Sequence, residues 1–396
     1  MGNIYEKLSS CGLKGPLALY ERIKGGLYGL LPRMPICPNK IIFDNFRGKG
    51  FGDDPKYIAL ELLRRTPSLK IYWILQDPTE PLPKGIRPLK PYSFLTTYHY
   101  CTAKVWVDNV KDYIKPPKRP GQYYIQTWHS TLGFKKNEAD AITLDERYVE
   151  MARQDAAQTD LMYSNNDFRC EKYRSTYWYT GEVIKCGVPR MEPLYHDTAQ
   201  AKARVCQTFG LTDRQIVLYA PTFRDSVRYS DYAMDLQRCL DALNKRFPGK
   251  PFVMLIRLHP NEFRRFGTFP QMDSCVYDAC TYPDMQELLA AVDVLITDYS
   301  GCMFDFAFVE KPAFLFTKDY AHYTQKERGL YFTLEQLPFS RADTDEALET
   351  SILNYSEPEY KQRCEDFRRQ IGYHDDGSGS KQLADIILKK MGRRVP

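Results

Sequence analysis

The stretch DVLITDYSGCMFDFAFVEKPAFLF, from Asp293 to Phe316, decides the fold. A short apolar run enters the polar turn Asp298-Tyr299-Ser300-Gly301, an amphipathic segment follows, and a second apolar run closes the stretch. Strand, turn, helix and strand in that order is the repeating unit of a parallel sheet covered on both faces. The turn is then either plain capping chemistry or a seat for phosphates, because free N–H groups at a helix start attract anions. Two other apolar runs, at 215–223 and 251–260, precede it at similar intervals, with a short one at 274–279 between. Together they predict a doubly wound α/β domain.

An equivalent set lies upstream. The runs KIIFDNF (40–46), KIYWILQ (70–76), KVWVDN (104–109), YYIQTWH (123–129), DLMYSN (160–165) and EVIKCGVP (182–189) alternate with helical material. The chain has 396 residues, enough for two domains that each bury a core. The expectation is two Rossmann-like domains, 36–190 and 191–375, with a C-terminal helix or tail at 376–396. The junction is placed within 188–210, where GVPRMEPLYHDTAQ carries two prolines.

Composition narrows the class. Hydrophobic residues at 43% and 29 tyrosines describe a folded chain, and a net charge of +5 without a basic stripe points away from nucleic acid. Eleven cysteines without C-x-x-C spacing read as free thiols of a reducing compartment, and no Cys/His cluster suits a metal. No run of about 18 apolar residues predicts a spanning helix. Residues 1–35 are different: Lys7, Lys14, Arg22, Lys24 and Arg33 face only Glu6 and Glu21 among Leu, Ile and Tyr. Such a basic amphipathic segment suits an anionic membrane surface, and packing on the main body is the competing reading.

In open α/β sheets ligands sit beyond the carboxyl ends of the strands. Those ends carry RGKGFGDD with Arg47, QTWHST with Thr127, His129 and Ser130, APTFRD with Thr222 and Arg224, RLHP with Arg257 and His259, and the turn with Asp298, Ser300 and Gly301. The Gly-rich loop lacks the G-K-[ST] of a Walker A motif, and the chain has no G-x-S-x-G elbow. That loop reads as a mobile basic connection, near an anionic acceptor or simply flexible. His129 suits a general base, and His259 a donor to a phosphoryl oxygen or leaving group. Asp298 reads first as a brace for its turn, and Asp305 as structural.

Taken in order, QTWHST, LYAPTFRD, RLHP, DVLITDYSG and ERGLYF resemble the CDP-glycerol glycerophosphotransferase family of teichoic-acid primases and polymerases. The resemblance covers about 120–335. It implies the GT-B architecture, two Rossmann-like domains facing across a cleft, with the donor on the C-terminal side and the acceptor on the N-terminal side. It implies transfer of a polyol phosphate, foremost glycerol phosphate, from a CDP-activated donor to a hydroxyl of a lipid-linked or polymeric acceptor; no cofactor is expected and no residue is assigned to a metal. It also implies peripheral attachment at the cytoplasmic face of the membrane through the N-terminal segment. His129 and His259 match the family's proposed catalytic histidines. Thr222, Arg224, Arg257, Asp298, Ser300, Gly301 and Arg328 fall to the donor, and Thr127, Ser130 and Arg47 to the acceptor side. Two departures stand out: Gly301 where a second serine is usual, and HST where HGT is usual. A GT-B glycosyltransferase using a nucleotide sugar is the alternative enzyme, and a silent nucleotide-binding scaffold the alternative class.

Overall fold

The computed structural model describes residues 29–112, 115–222, 233–259, 274–320, 323 and 329–395. The expected membrane segment therefore lies almost wholly outside the described residues, as do Arg224 and Arg328. Among the described residues two parallel sheets carry the chain. The first contains β1 (Cys37–Asp44), β2 (Lys70–Ile74), β3 (Ile86–Leu89), β4 (Ala103–Asp108), β5 (Tyr123–Gln126), β6 (Leu161–Ser164) and β7 (Glu182–Lys185), ordered β3-β2-β1-β4-β5-β6-β7. The second contains β8 (Gln215–Ala220), β9 (Phe252–Ile256), β10 (Val276–Asp278), β11 (Val294–Thr297), β12 (Ala313–Phe316) and β13 (Ser340–Ala342), ordered β10-β9-β8-β11-β12-β13. Central strands are apolar on both faces: Ile41, Ile42 and Phe43 in β1 and Val294, Leu295 and Ile296 in β11 are all buried. Helices on each face force that pattern, since no side of the strand meets water.

Each order contains one reversal. The chain winds outward from β1 to β3, then returns to lay β4 on the other side of β1. It winds outward from β8 to β10, then returns to lay β11 beside β8. In open sheets of this kind ligands sit where the loops diverge at such a reversal, here beyond the carboxyl ends of β1/β4 and β8/β11.

The domains are joined twice. After β7 the chain passes through the turn Pro189–Met191 into the second domain. It comes back at 371–379, where Asn166 and Tyr373 form an isolated antiparallel bridge and Asn165 donates to Asp375 at 2.7 Å. The C-terminal helix Gly379–Lys390 then packs on the helix Asp53–Arg65 of the first domain, with Arg65 paired to Asp385. One hydrophobic core runs from the first sheet into the second. All ten described cysteines are free thiols. Among the described residues no helix is long and apolar enough to cross a membrane.

Candidate active site

His129 follows β5, held in a turn whose backbone is strained. Trp128 adopts φ +58°, a left-handed conformation that a bulky side chain rarely takes. The surrounding bonds over-determine it: the Gln126 side chain accepts from the Trp128 amide at 2.9 Å, and the Thr127 hydroxyl donates to the Trp128 carbonyl at 2.9 Å. The Trp128 ring then stacks on the His129 imidazole, centroids 4.4 Å apart. Phe46, Arg47 and Asp53 also have positive φ, so strained residues gather at this edge, as they do where a site must be held in one geometry.

The imidazole is anchored through Nδ1, 2.8 Å from the backbone carbonyl of Asn109 at the end of β4. A carbonyl only accepts, so Nδ1 carries the proton and Nε2 keeps its lone pair. Burial lowers the pKa of the ring below the usual histidine value, and the nearby cations Arg169 and Arg190 add to that, while the Asn109 hydrogen bond and Asp53 oppose it. His129 is thus neutral at pH 7 and able to accept a proton.

Asn109 is also the centre of the first sheet's reversal. Its side chain accepts from the Phe46 amide at 2.8 Å and donates to Asn45 at 2.8 Å and to Asp53 at 3.0 Å. The Gly-rich loop that follows β1 is tied down by hydrogen bonds. Asn45 donates to the carbonyls of Lys49 and Gly50, and the Gly48 amide donates to Asp44 at 2.7 Å. Arg47 lies half-exposed across the end of β4, donating to the Lys111 carbonyl at 3.0 Å.

Two acceptor-side candidates serve the turn itself. Thr127 is buried, with its hydroxyl on backbone carbonyls. Ser130 is half-buried and its Oγ accepts from Arg169 Nη2 at 3.2 Å. Arg169 is fully buried with no carboxylate among the described residues bonded to it, caged by the rings of Tyr173, Tyr177 and Trp128. Gly133 completes the cage: its φ is +77°, and a Cβ there would overlap the guanidinium.

On the second domain the reversal is closed by Asp298 and Thr222. The Asp298 carboxylate accepts from the Thr222 amide at 2.9 Å, from the Thr222 hydroxyl and from the Tyr299 amide. Asp298 is buried and braces both strand ends. Ser300 and Gly301 follow, half-buried, with Gly301 as N-cap of the helix Cys302–Phe308, which no side chain caps. Arg257 continues β9, and its guanidinium donates to the carbonyls of Ala279 (3.0 Å) and Tyr282. Burial lowers its pKa. His259 stands exposed two residues further on.

The two motif groups meet across the cleft. Thr131, two residues after His129, donates to Asp305 in the helix that begins after Gly301. Below them, the first domain's Lys136 amide donates to the Gly329 carbonyl at 2.8 Å, and Phe134 packs on Phe304, centroids 5.6 Å apart. Lys56 and Tyr57 reach Asp284 of the second domain. Arg190 lies between, bonded to both sides.

Arg190, Asn109 and Asp53 were not singled out from the sequence. One signal was present: β1 and β4, the two strands flanking the reversal, end alike in Phe43-Asp44-Asn45 and Val107-Asp108-Asn109.

Residues 27–389 match the model of the CDP-Glycerol:Poly(glycerophosphate) glycerophosphotransferase family. The chain belongs to that family. It is 28% identical over 377 residues to the teichoic acid poly(glycerol phosphate) polymerase of Bacillus subtilis strain 168, covering 92% of this chain and 50% of that one. It is 27% identical to the protein of the same name from Bacillus spizizenii W23, covering 94% of this chain and 97% of that one. The chain thus spans about half the length of some relatives it matches and nearly all of others. Among solved structures, a variant of the wall teichoic acid polymerase TagF soaked with CDPG superposes with a TM-score of 0.82 at 27% identity, covering 92% of each chain. The two-domain GT-B-like expectation agrees with that likeness.

Proposed function

We propose that this chain transfers glycerol phosphate from CDP-glycerol to a hydroxyl acceptor and releases CMP. The observation that carries the reading is His129, neutral, with its proton fixed on Nδ1 and its Nε2 lone pair free for a substrate. An acceptor O–H gives its proton to Nε2 as the oxygen forms a bond to the glycerol-side phosphorus. The bond from that phosphorus to the bridging oxygen breaks, and CMP departs with the electron pair. Such a transfer needs little covalent help from the protein, so positioning and charge carry it. We assign the diphosphate to Ser300, Gly301, Thr222, Arg257 and His259 on the second domain. The family membership and the relatives' names support this donor. We assign the acceptor to the His129 side, as a lipid-linked or polymeric hydroxyl, and the enzyme to the cytoplasmic membrane face, held through residues 1–35.

The test is CMP release from radiolabelled CDP-glycerol in the presence of a polyol phosphate primer. His129→Ala should lose on the order of 10²–10⁴ in turnover, the usual worth of a general base, while calorimetry shows donor binding retained. Unchanged turnover removes His129 from the chemistry. Release of UDP or GDP from nucleotide sugars, with no CMP from CDP-glycerol, removes the reading itself.

A further inference from the structure

Arg190 stands where the chain leaves the first domain, in the turn Pro189–Met191, and is buried. Its guanidinium serves four groups. Nη1 donates to the His129 carbonyl at 3.3 Å and to Asp53 at 3.4 Å. Nη2 donates to the Thr131 hydroxyl at 2.8 Å and lies 3.1 Å from Asp305. Its amide donates to Asp54 at 2.9 Å. Of these partners only Asp305 belongs to the second domain.

We propose that Arg190 is a positioning residue that couples docking of the two domains to the setting of His129 as the proton acceptor. The inference rests on the reading of His129 given above.

The geometry supplies the coupling. His129 is held at two points, its ring by Asn109 and its own carbonyl by Arg190, so the strained turn cannot rotate the imidazole away. The same guanidinium holds Asp305, in the helix that follows Ser300 and Gly301. Separating the domains would take Asp305 from Arg190 and from Thr131 together. Separating them would therefore break two charge-assisted bonds to one carboxylate at once, and would leave Arg190 only its first-domain partners. Gln286 donates to Asp305 Oδ2 at 3.0 Å, so this carboxylate is fixed from its own domain as well. The docked state is therefore the one in which the base is held on both sides.

Charge acts in the same direction. The charged groups facing His129 are Asp53 from the helix Asp53–Arg65, Arg169 from the helix Asp167–Thr176, and Arg190 from the inter-domain turn. Arg190 adds a positive charge near the ring and also pairs with Asp53, whose negative charge acts on the ring in the opposite sense. Removing Arg190 takes away a cation and unmasks an anion, and both changes favour the protonated ring. Burial alone would lower the guanidinium's own pKa, but Asp305, Asp53 and Asp54 outweigh it, so Arg190 stays charged at every working pH.

The experiment uses full-length protein with labelled histidine and follows imidazole resonances against pH, assigning His129 by the signal lost in His129→Gln. The wild type should show a neutral ring with the proton on Nδ1 at pH 7. In Arg190→Gln the His129 midpoint should rise by roughly one unit, the size expected from one nearby charge. Arg190→Lys should return the midpoint towards the wild-type value. Asp305→Asn keeps the Arg190 charge, so its midpoint should stay in place while turnover falls by about tenfold or more through lost positioning. An unmoved midpoint in folded Arg190→Gln, or wild-type turnover in Asp305→Asn, overturns the proposal. If Arg190→Gln does not fold, Asp305→Asn decides: an unmoved midpoint with turnover down about tenfold or more supports the proposal, and wild-type turnover overturns it. The titration needs no substrate, so its outcome is separable from whether CDP-glycerol is turned over.

Discussion

Gly301 has ordinary helical backbone angles, φ −60° and ψ −20°, and a Cβ built there meets nothing within 4 Å. The fold therefore does not require glycine at the position where the family resemblance leads one to expect serine. Gly301→Ser should leave stability within about 0.5 kcal/mol, because glycine and serine differ little as N-caps. If the donor phosphates lie against this turn, the added hydroxyl should lower the KM for CDP-glycerol by about fivefold, the worth of one hydrogen bond of about 1 kcal/mol. Urea titration and initial rates read the two effects separately. A donor KM that does not change would place the phosphates elsewhere. At this scale the site was legible only in part. His129, His259, Ser300 and Gly301 show themselves because polar residues at strand ends are a local pattern. Arg190 does not, since its bonds reach residues 61, 115 and 137 positions away and nothing around it in the sequence marks it.

At the scale of elements, eleven of the thirteen strands among the described residues coincide with runs visible in the sequence, most plainly the central ones, because a strand buried on both faces must be nearly continuous in apolar residues. The two others are edge strands. β3 reads Ile86-Arg87-Pro88-Leu89 with only its ends buried, and β13 is three residues, Ser340–Ala342. Edges have one neighbour and one wetter side; the edges β7 and β10 still show as runs, but β3, with a proline and two exposed residues, and the three-residue β13 do not stand out from loop. The helix beside the first of these, Phe94–Thr102, carries a pH dependence of its own. His99 is buried against Tyr72, centroids 3.8 Å apart, and its Nδ1 has no hydrogen-bond partner. Burial, with Lys40 and Arg87 nearby, lowers its pKa to about 4. The unfolded chain binds a proton at this residue below about 6.5, and the folded one does not until about 4. Stability from this group is therefore present above the unfolded value and is lost as the pH falls through that window. The difference in unfolding free energy between wild type and His99→Phe should shift against the wild type by on the order of 2 kcal/mol between pH 7 and 4.5. Buried carboxyls such as Glu192, raised to about 7 by burial, act with the opposite sign, so the comparison must be made against the variant. Parallel curves for the two proteins would mean that His99 titrates alike in both states.

At the scale of the whole molecule, the relation between the domains is set by two crossings of the chain that touch each other. Gly187, just after β7, and Gly379, at the start of the C-terminal helix, lie backbone against backbone. A Cβ on Gly379 would overlap the Gly187 carbonyl and come within 2.9 Å of the Pro189 nitrogen. One residue on, the Ser380 amide donates to Glu192 at 2.6 Å, so the crossing is fastened as well as close. Arg190, the cation shared by both domains, is within this same short segment. Helix propensity alone says that Gly379→Ala stabilises, by up to about 1 kcal/mol for an interior helical position. Packing says the reverse, because the nearest atoms the new methyl would meet are backbone, which cannot turn aside as a side chain does. We expect packing to win, with a net loss of about 1–3 kcal/mol by urea titration. The displaced segment is the one that carries Arg190, so CMP release should fall in the same variant more than its stability at assay temperature accounts for. Gly392→Ala is a poor control because Gly392 has φ +71°. Ser378→Ala is a better one, adjacent and half-buried, with a hydroxyl that bonds only Asp376 and Gln382 of its own segment, and should keep wild-type turnover. A Gly379→Ala protein that is more stable than wild type and equally active would show that the crossings relax apart, and that their close approach does not set how the domains face each other.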